Sequence, residues 1–173
     1  TIICDFAFLK AKTLERVTLP QNLKAIGKGA FQGCSNLKEI HIPEGVEEIK
    51  EFAFAECTSL TCATIHGSVK VFQNHAFSGC TNLASISIAE GVEEIGDHAF
   101  KDCTSLASVK LPVDYVTYYK SNENGNILVY SYNQFDGCTN VTNIHYTYGQ
   151  TGIMQDRYRF SISDTLEGLS CDS

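Results

Sequence analysis

Cys34-Ser35-Asn36-Leu37-Lys38-Glu39-Ile40-His41-Ile42-Pro43-Glu44-Gly45-Val46-Glu47-Glu48-Ile49, followed by Ala53-Phe54-Ala55-Glu56-Cys57, is one unit of a pattern that recurs along the chain. Its closing motif, Ala-Phe-x-x-Cys, is the clearest marker. The motif occurs at Ala30-Phe31…Cys34, Ala53-Phe54…Cys57, Ala76-Phe77…Cys80 and Ala99-Phe100…Cys103, with successive Phe residues 23 positions apart. Phe135…Cys138 comes 35 positions after Phe100, so one unit carries 12 extra residues. Self-similarity at such a period marks a stacked solenoid rather than a globule around one central core.

Within the unit, Leu37, Ile40 and Ile42 alternate with polar residues, the period of a strand with one buried face. The same slots read Leu14/Val17/Leu19, Leu60/Ala63/Ile65, Leu83/Ile86/Ile88, Leu106/Val109/Leu111 and Val141/Ile144/Tyr146. This predicts six long strands, parallel and in register. Pro43-Glu44-Gly45 is a turn signal, because Pro fixes φ and Gly accepts positive φ. A second apolar pair follows at Leu23/Ile26, Val46/Ile49, Val69/Phe72, Val92/Ile95 and, after the insertion, Ile127/Tyr130. These pairs are read as short strands or extended segments, and the Ala-Phe segment as a helical or 3₁₀ turn. Ile3, Ala7 and Phe8 fit the same slots at the start, with Ala11 at the cysteine position. One unit cannot bury enough apolar surface to offset its own ordering, so stability must reside between neighbours.

The 173 residues are 43% apolar, which is ordinary for a folded chain, and carry a net charge of −7. An acidic balance argues against nucleic acid, whose binders present a basic face. No apolar run reaches the length of about 20 residues that spans a bilayer. The chain opens at Thr1 inside a unit, which is read as processing or truncation. Of eight cysteines, five (Cys34, Cys57, Cys80, Cys103 and Cys138) share one slot. Their Cα atoms would stand about one strand spacing apart with parallel side chains, a poor geometry for disulfides. They are expected to be buried, reduced and to act as small apolar groups. Cys4, Cys62 and Cys171 lie off the column.

The run Cys34-x-x-Leu37-x-x-Ile40-x-Ile42-Pro43, then Val46-x-x-Ile49-x-x-x-Ala53-Phe54-x-x-Cys57, closely resembles the BspA-like, or treponemal-type, leucine-rich repeat family. The likeness covers about residues 3–146, interrupted by the insertion after Pro112 and lost from about Thr147. It implies a right-handed leucine-rich repeat solenoid of about six repeats, with a parallel sheet on the concave side and short strands and turns opposite. It also implies a surface-exposed or secreted protein associated with adhesion, with no enzymatic activity and no cofactor. The family has no fixed binding residues to carry over. The organisation expected is one array over 1–146, with an insertion at about 113–126, and a C-terminal cap or tail over 147–173.

Three surfaces are candidates for function. The outward side of the long strands presents two columns: Arg16, Glu39, Cys62, Ser85, Ser108 and Asn143, and Thr18, His41, Thr64, Ser87, Lys110 and His145. A solvated sheet face is the competing reading, since the columns hold few of the aromatic or Arg anchors typical of hot spots. The insertion and its flanks carry Tyr115, Tyr118, Tyr119, Tyr130 and Tyr132 around Ser121-Asn122-Glu123-Asn124-Gly125-Asn126. Asn-Gly is a strong hairpin signal, and the Tyr/Ser/Asn/Gly mixture is the composition of binding loops. The competing reading is a hairpin that only covers the array. The tail is read as a cap, with Arg157-Tyr158-Arg159-Phe160 alternating like one more strand. The proposed partner-binding residues are therefore Tyr115, Tyr118, Tyr119, Tyr130, Tyr132, Arg16, Glu39, His41, Lys110 and His145. The partner expected is an extracellular protein or glycan.

Chemistry is thinly represented. His75 and His98 share a slot, but a zinc site needs three or four ligands, so they are read as a surface pair without a metal. Cys62 near His41 lacks an orienting third group, so no catalytic residue is assigned. Lys24, Glu47, Lys70 and Glu93 alternate in sign down one slot, which favours the correct register by roughly 0.2–1 kcal/mol per neighbouring pair. The function read from these features is a non-enzymatic cell-surface or secreted binding protein. The alternative is a rigid spacer within a larger surface protein.

Overall fold

The computed structural model describes residues 1–89, 91–111, 119–121, 127–129, 133–140 and 143–146. In chain order the strands are β1 (Ile2–Ile3), β2 (Ala25–Ile26), β3 (Glu39–Ile42), β4 (Glu48–Ile49), β5 (Cys62–Ile65), β6 (Val71–Phe72), β7 (Ser85–Ile88), β8 (Glu94–Ile95), β9 (Ser108–Leu111), β10 (Tyr119–Ser121), β11 (Ile127–Val129) and β12 (Asn143–Tyr146). They form two parallel five-stranded sheets. The long sheet runs β3-β5-β7-β9-β12 and the short one β1-β2-β4-β6-β8. From β2 to β9 each turn of the solenoid contributes one strand to each sheet.

The register follows the sequence period. Glu39 pairs with Cys62, Cys62 with Ser85 and Ser85 with Ser108. At the insertion Ser108 pairs with Asn143, so the ladder resumes in the same slots across a 35-residue step. The alternation sends Ile40 and Ile42 inward and leaves His41 exposed.

The long strands number five among the described residues, where six are expected from the sequence. Arg16–Leu19 forms no strand, and β3 is the edge of the sheet. Val17 and Leu19 still pack against the core, so their alternation reports burial without ladder pairing. Ile127 also departs from expectation. It lies in β11, which pairs antiparallel with β10, Ser121 opposite Ile127, and it does not extend the short sheet. The hairpin signal at Asn124-Gly125 prevails over the repeat slot, since a local antiparallel partner closes at lower entropic cost than a distant parallel one. Tyr130 lies outside the described residues.

The Ala-Phe segments up to Asp102 are successive turns rather than helices. Their amides alternate between two duties. Ala30, Gln32 and Cys34 donate to the carbonyls of Gly27, Gly29 and Phe31 within the turn, while Gly29, Phe31 and Gly33 donate to Glu51, Ala53 and Ala55 of the next unit. The residue before Ala and the residue before Cys have positive φ, as at Gly29 (56°) and Gly33 (70°). Those are third positions of turns closed by i→i+3 bonds, where type II geometry demands it. Only the last segment is 3₁₀, at Asn133–Phe135.

Several non-glycine residues hold this left-handed conformation, including Phe52, Glu56, His75, His98 and Asp102. Left-handed φ costs an L-residue about 1–2 kcal/mol, partly offset because glycine loses more freedom on folding. Glu56 is exposed, and its slot is glycine at Gly33, Gly79 and Gly137. Replacing Glu56 with Gly should therefore raise stability by about 0.5–1 kcal/mol. A urea titration with an unchanged slope and a higher midpoint would register it; a lower midpoint would contradict the strain argument.

The core is a stack of rings. Phe8, Phe31, Phe54, Phe77, Phe100 and Phe135 follow one another at centroid distances of 5.0, 5.2, 5.0, 5.6 and 5.3 Å, with planes within 16° of parallel. Parallel rings at that distance are offset-stacked, the favoured arrangement. The stack continues from Phe100 to Phe135, unbroken by the insertion. Beside it run the buried free thiols of Cys34, Cys57, Cys80, Cys103 and Cys138. Each thiol donates to the carbonyl of the Phe one turn earlier: Cys57 Sγ to Phe31 at 3.2 Å, Cys80 to Phe54 at 3.1 Å, Cys103 to Phe77 at 3.2 Å and Cys138 to Phe100 at 3.0 Å. The same Phe carbonyls accept the amide of their own cysteine. The column thus supplies a small weak donor to a buried oxygen, beyond filling space. Burial raises the Cys57 thiol well above its ordinary range, which keeps it protonated and unreactive.

Candidate functional site

Of the two columns predicted on the long sheet, Arg16 and Thr18 lie outside any strand, and the other members share register rows. Glu39, Cys62, Ser85, Ser108 and Asn143 share one register row, and His41, Thr64, Ser87, Lys110 and His145 share the next. The alternation that buries Ile40, Ala63 and Ile86 leaves Glu39, His41, Cys62, Thr64, Ser85 and Ser87 on the opposite, less buried face. Neighbours within a row stand about 5 Å apart. The large apolar residues exposed among the described positions (Ile2, Phe6, Phe8 and Leu9) all lie in the first turn of the array, away from these rows.

Ion pairs link successive turns of the array. Arg16 Nη1 lies 2.9 Å from Glu39 Oε1, so two of the proposed partner-binding residues already pair with each other. Four more ion pairs join residues 23 apart: Lys24–Glu47, Lys28–Glu51, Lys38–Glu15 and Lys70–Glu93. Two of them come from the alternating column read in the sequence. They are exposed, and pairs of this kind contribute about 0–1 kcal/mol each.

A cleft of about 320 Å³ lies where the long sheet ends. Its lining includes Val17, Leu19, Ile42 and Pro43, with Gln21, His41, Glu44 and His66 among its polar residues. It sits between the unpaired Arg16–Leu19 segment and β3. His41 is the one proposed partner-binding residue that lines it. Sequence reasoning missed Gln21, Glu44 and His66, and no signal marked them, because residues 14–20 match the strand pattern of the later units.

Lys110 and His145 stand opposite each other on β9 and β12. Tyr119 begins β10, opposite Val129 of β11. This hairpin leaves the array between β9 and β12, neighbours in the long sheet. Tyr115, Tyr118, Tyr130 and Tyr132 lie outside the described residues, as does the tail from Thr147.

His75 and His98 stack with ring centroids 5.1 Å apart. No group of three His, Cys, Asp or Glu side chains able to hold a metal occurs among the described residues. Cys62, which lies off the buried thiol column, is disulfide-bonded. Its sulfur has no thiolate to offer as nucleophile. No helix of the described residues is long and apolar enough to cross a membrane.

Residues 1–127 match the family described as BspA type leucine rich repeat region, in six copies. Among solved structures, a leucine rich repeat protein of T. pallidum is 32% identical with a TM-score of 0.68, the match covering 83% of this chain and 61% of that one. One from Bacteroides ovatus is 25% identical with a TM-score of 0.66, covering 84% and 37%. A leucine rich cell surface protein of Faecalibacterium prausnitzii is 25% identical with a TM-score of 0.55, covering 84% and 52%. The chain thus spans less than two thirds of each of these proteins. No curated protein matches it.

Proposed function

Because the chain belongs to the BspA type leucine-rich repeat family, we propose that it is a non-enzymatic binding module of a cell-surface or secreted protein, recognising a protein or glycan. The observation that carries this reading is the way the insertion joins the array. The long sheet keeps its slots from Ser108 to Asn143, and the ring stack continues from Phe100 to Phe135. The repeat pattern therefore does not need the intervening segment, whose sequence is rich in tyrosine and asparagine and which contributes the β10–β11 hairpin between β9 and β12. Rigid scaffolds that present variable loops are a recurrent design for recognition. The surface location draws support from the F. prausnitzii relative, described as a cell surface protein.

In this reading Tyr115, Tyr118, Tyr119, Tyr130 and Tyr132 supply amphipathic contacts. His41, Lys110 and His145 extend the contact over the sheet, and Arg16 and Glu39 fix its edge. The test is retention of the immobilised chain by a panel of matrix proteins and glycans. A Tyr118→Ser/Tyr119→Ser variant with an intact fold should lose capture at least tenfold. Full capture by that variant would remove the hairpin from the site. Failure of the unaltered chain to retain any member would favour the spacer reading, which the self-paired Arg16–Glu39 surface also fits.

A further inference from the structure

Outside the outward rows, one cluster of titratable groups has a geometry that none of the foregoing uses. Phe52, His75 and His98 occupy one slot in three successive turns. Their rings stack, Phe52 on His75 at 4.8 Å and 5°, His75 on His98 at 5.1 Å and 9°. All three backbones are held at positive φ, 57°, 59° and 59°. The turn ladder fixes that backbone, with the His75 amide donating to Asp97 at 3.0 Å. The imidazoles can therefore rearrange by side-chain rotation alone.

His98 has a second partner within reach. Its Nε2 lies 3.9 Å from Oδ2 of Asp136, which belongs to the first turn after the insertion. Lys101 Nζ approaches the same oxygen at 3.7 Å. At 3.9 Å the His98–Asp136 contact is too long for a hydrogen bond, and a charge-assisted N–H…O bond closes to about 2.7–2.9 Å. We propose that His98 is a pH-operated toggle: neutral, it stacks on His75 and joins adjacent repeats; protonated, it leaves the stack for Asp136 and clasps the turn that follows the insertion.

The surrounding charges set the direction. Two imidazolium rings face to face repel each other, and Lys101 adds a third positive charge beside them. Glu51 and Asp97 favour a proton on His75, but burial first, then His98 and Lys101, hold His75 below the ordinary imidazole range. The face of Phe52 offers a cation on His75 a modest attraction. The uncharged Gln73 and Asn74 flank His75 on its own turn. Protonation thus penalises the stack, while of the two imidazoles His98 is the one with a carboxylate oxygen within 4 Å, that of Asp136 at 3.9 Å. The sign for stability follows. A histidine whose folded value is depressed contributes stability above its unfolded value, and this is lost as pH falls through the histidine range. The His98–Asp136 pair offsets part of that loss.

The experiment uses the full chain. Unfolding midpoints at about pH 7.5 and about pH 5 are compared for the wild type, His75→Phe and Asp136→Asn. Phe52 shows that the slot accepts a phenyl ring. The acid-induced drop should shrink by about half in His75→Phe and grow by about half in Asp136→Asn. Equal drops in all three would overturn the toggle. On the wild type alone, NMR contacts between the two imidazole rings should disappear at about pH 5 and return on neutralisation. Ring contacts that persist unchanged in acid would overturn it regardless of how the variants fold.

Discussion

Replacing Phe54 with alanine is expected to destabilise the chain by about 4–5 kcal/mol. Truncating a buried Phe to Ala costs about 3–5 kcal/mol, and Phe54 is fully buried. It also stacks on Phe31 at 5.2 Å and on Phe77 at 5.0 Å, each such pair adding about 0.5–1.5 kcal/mol. A loss of this size takes a large fraction of the roughly 5–15 kcal/mol available to a folded domain. Location in the stack should decide the magnitude. Phe8 stacks on one side only and is 41% exposed. Phe8→Ala should therefore cost about 1–2 kcal/mol. Urea midpoints for the two variants check this, and equal losses would mean that the stack is not the source of cooperativity.

Excision of one whole repeat, Thr58–Cys80, should leave a folded protein. The cut joins Cys57 to Thr81 and preserves every later slot. Stability in such arrays is approximately a sum of repeat and interface terms, and the excised repeat also carries the disulfide-bonded Cys62, so the shortened chain should unfold at lower denaturant. Its slope should fall by about one sixth, in proportion to the surface lost. The cut also brings Glu47 next to Glu93 in the column that otherwise alternates Lys24, Glu47, Lys70 and Glu93. Like charges in neighbouring slots cost about 0.2–1 kcal/mol. Adding Glu93→Lys to the shortened chain should return that amount. Loss of strand content by circular dichroism after excision would argue for a single indivisible core.

Much of this architecture is legible in the sequence because a repeat reports its own register. The 23-residue step placed Glu39 beside Cys62 and His41 beside Thr64 without reference to any contact. It also identified the thiol column as reduced and buried. What escaped has physical reasons. Apolar alternation reports burial but not pairing, so Val17 and Leu19 read as strand residues although β3 has no partner on that side. The cleft at His41 and His66 follows from that missing partner and was therefore invisible. Left-handed backbone at Phe52, Glu56, His75 and His98 contradicts the preference of those residue types, and only the glycines at Gly29, Gly33 and Gly79 in equivalent slots hint at it. The sulfur-to-carbonyl bonds depend on the offset between turns, 26 positions rather than 23, which the repeat period does not express.

Thiol accessibility in the native protein tests the solenoid most directly. Cys34, Cys57, Cys80, Cys103 and Cys138 are buried free thiols, and Cys4 is free and exposed. Under native conditions a thiol reagent should modify Cys4 rapidly and leave the column untouched. Across a denaturant series the five shielded thiols should become reactive together, at the unfolding midpoint. A disulfide between any two members of the column, or reaction of any of them at the rate of Cys4 in the folded state, would contradict the stacked-turn architecture.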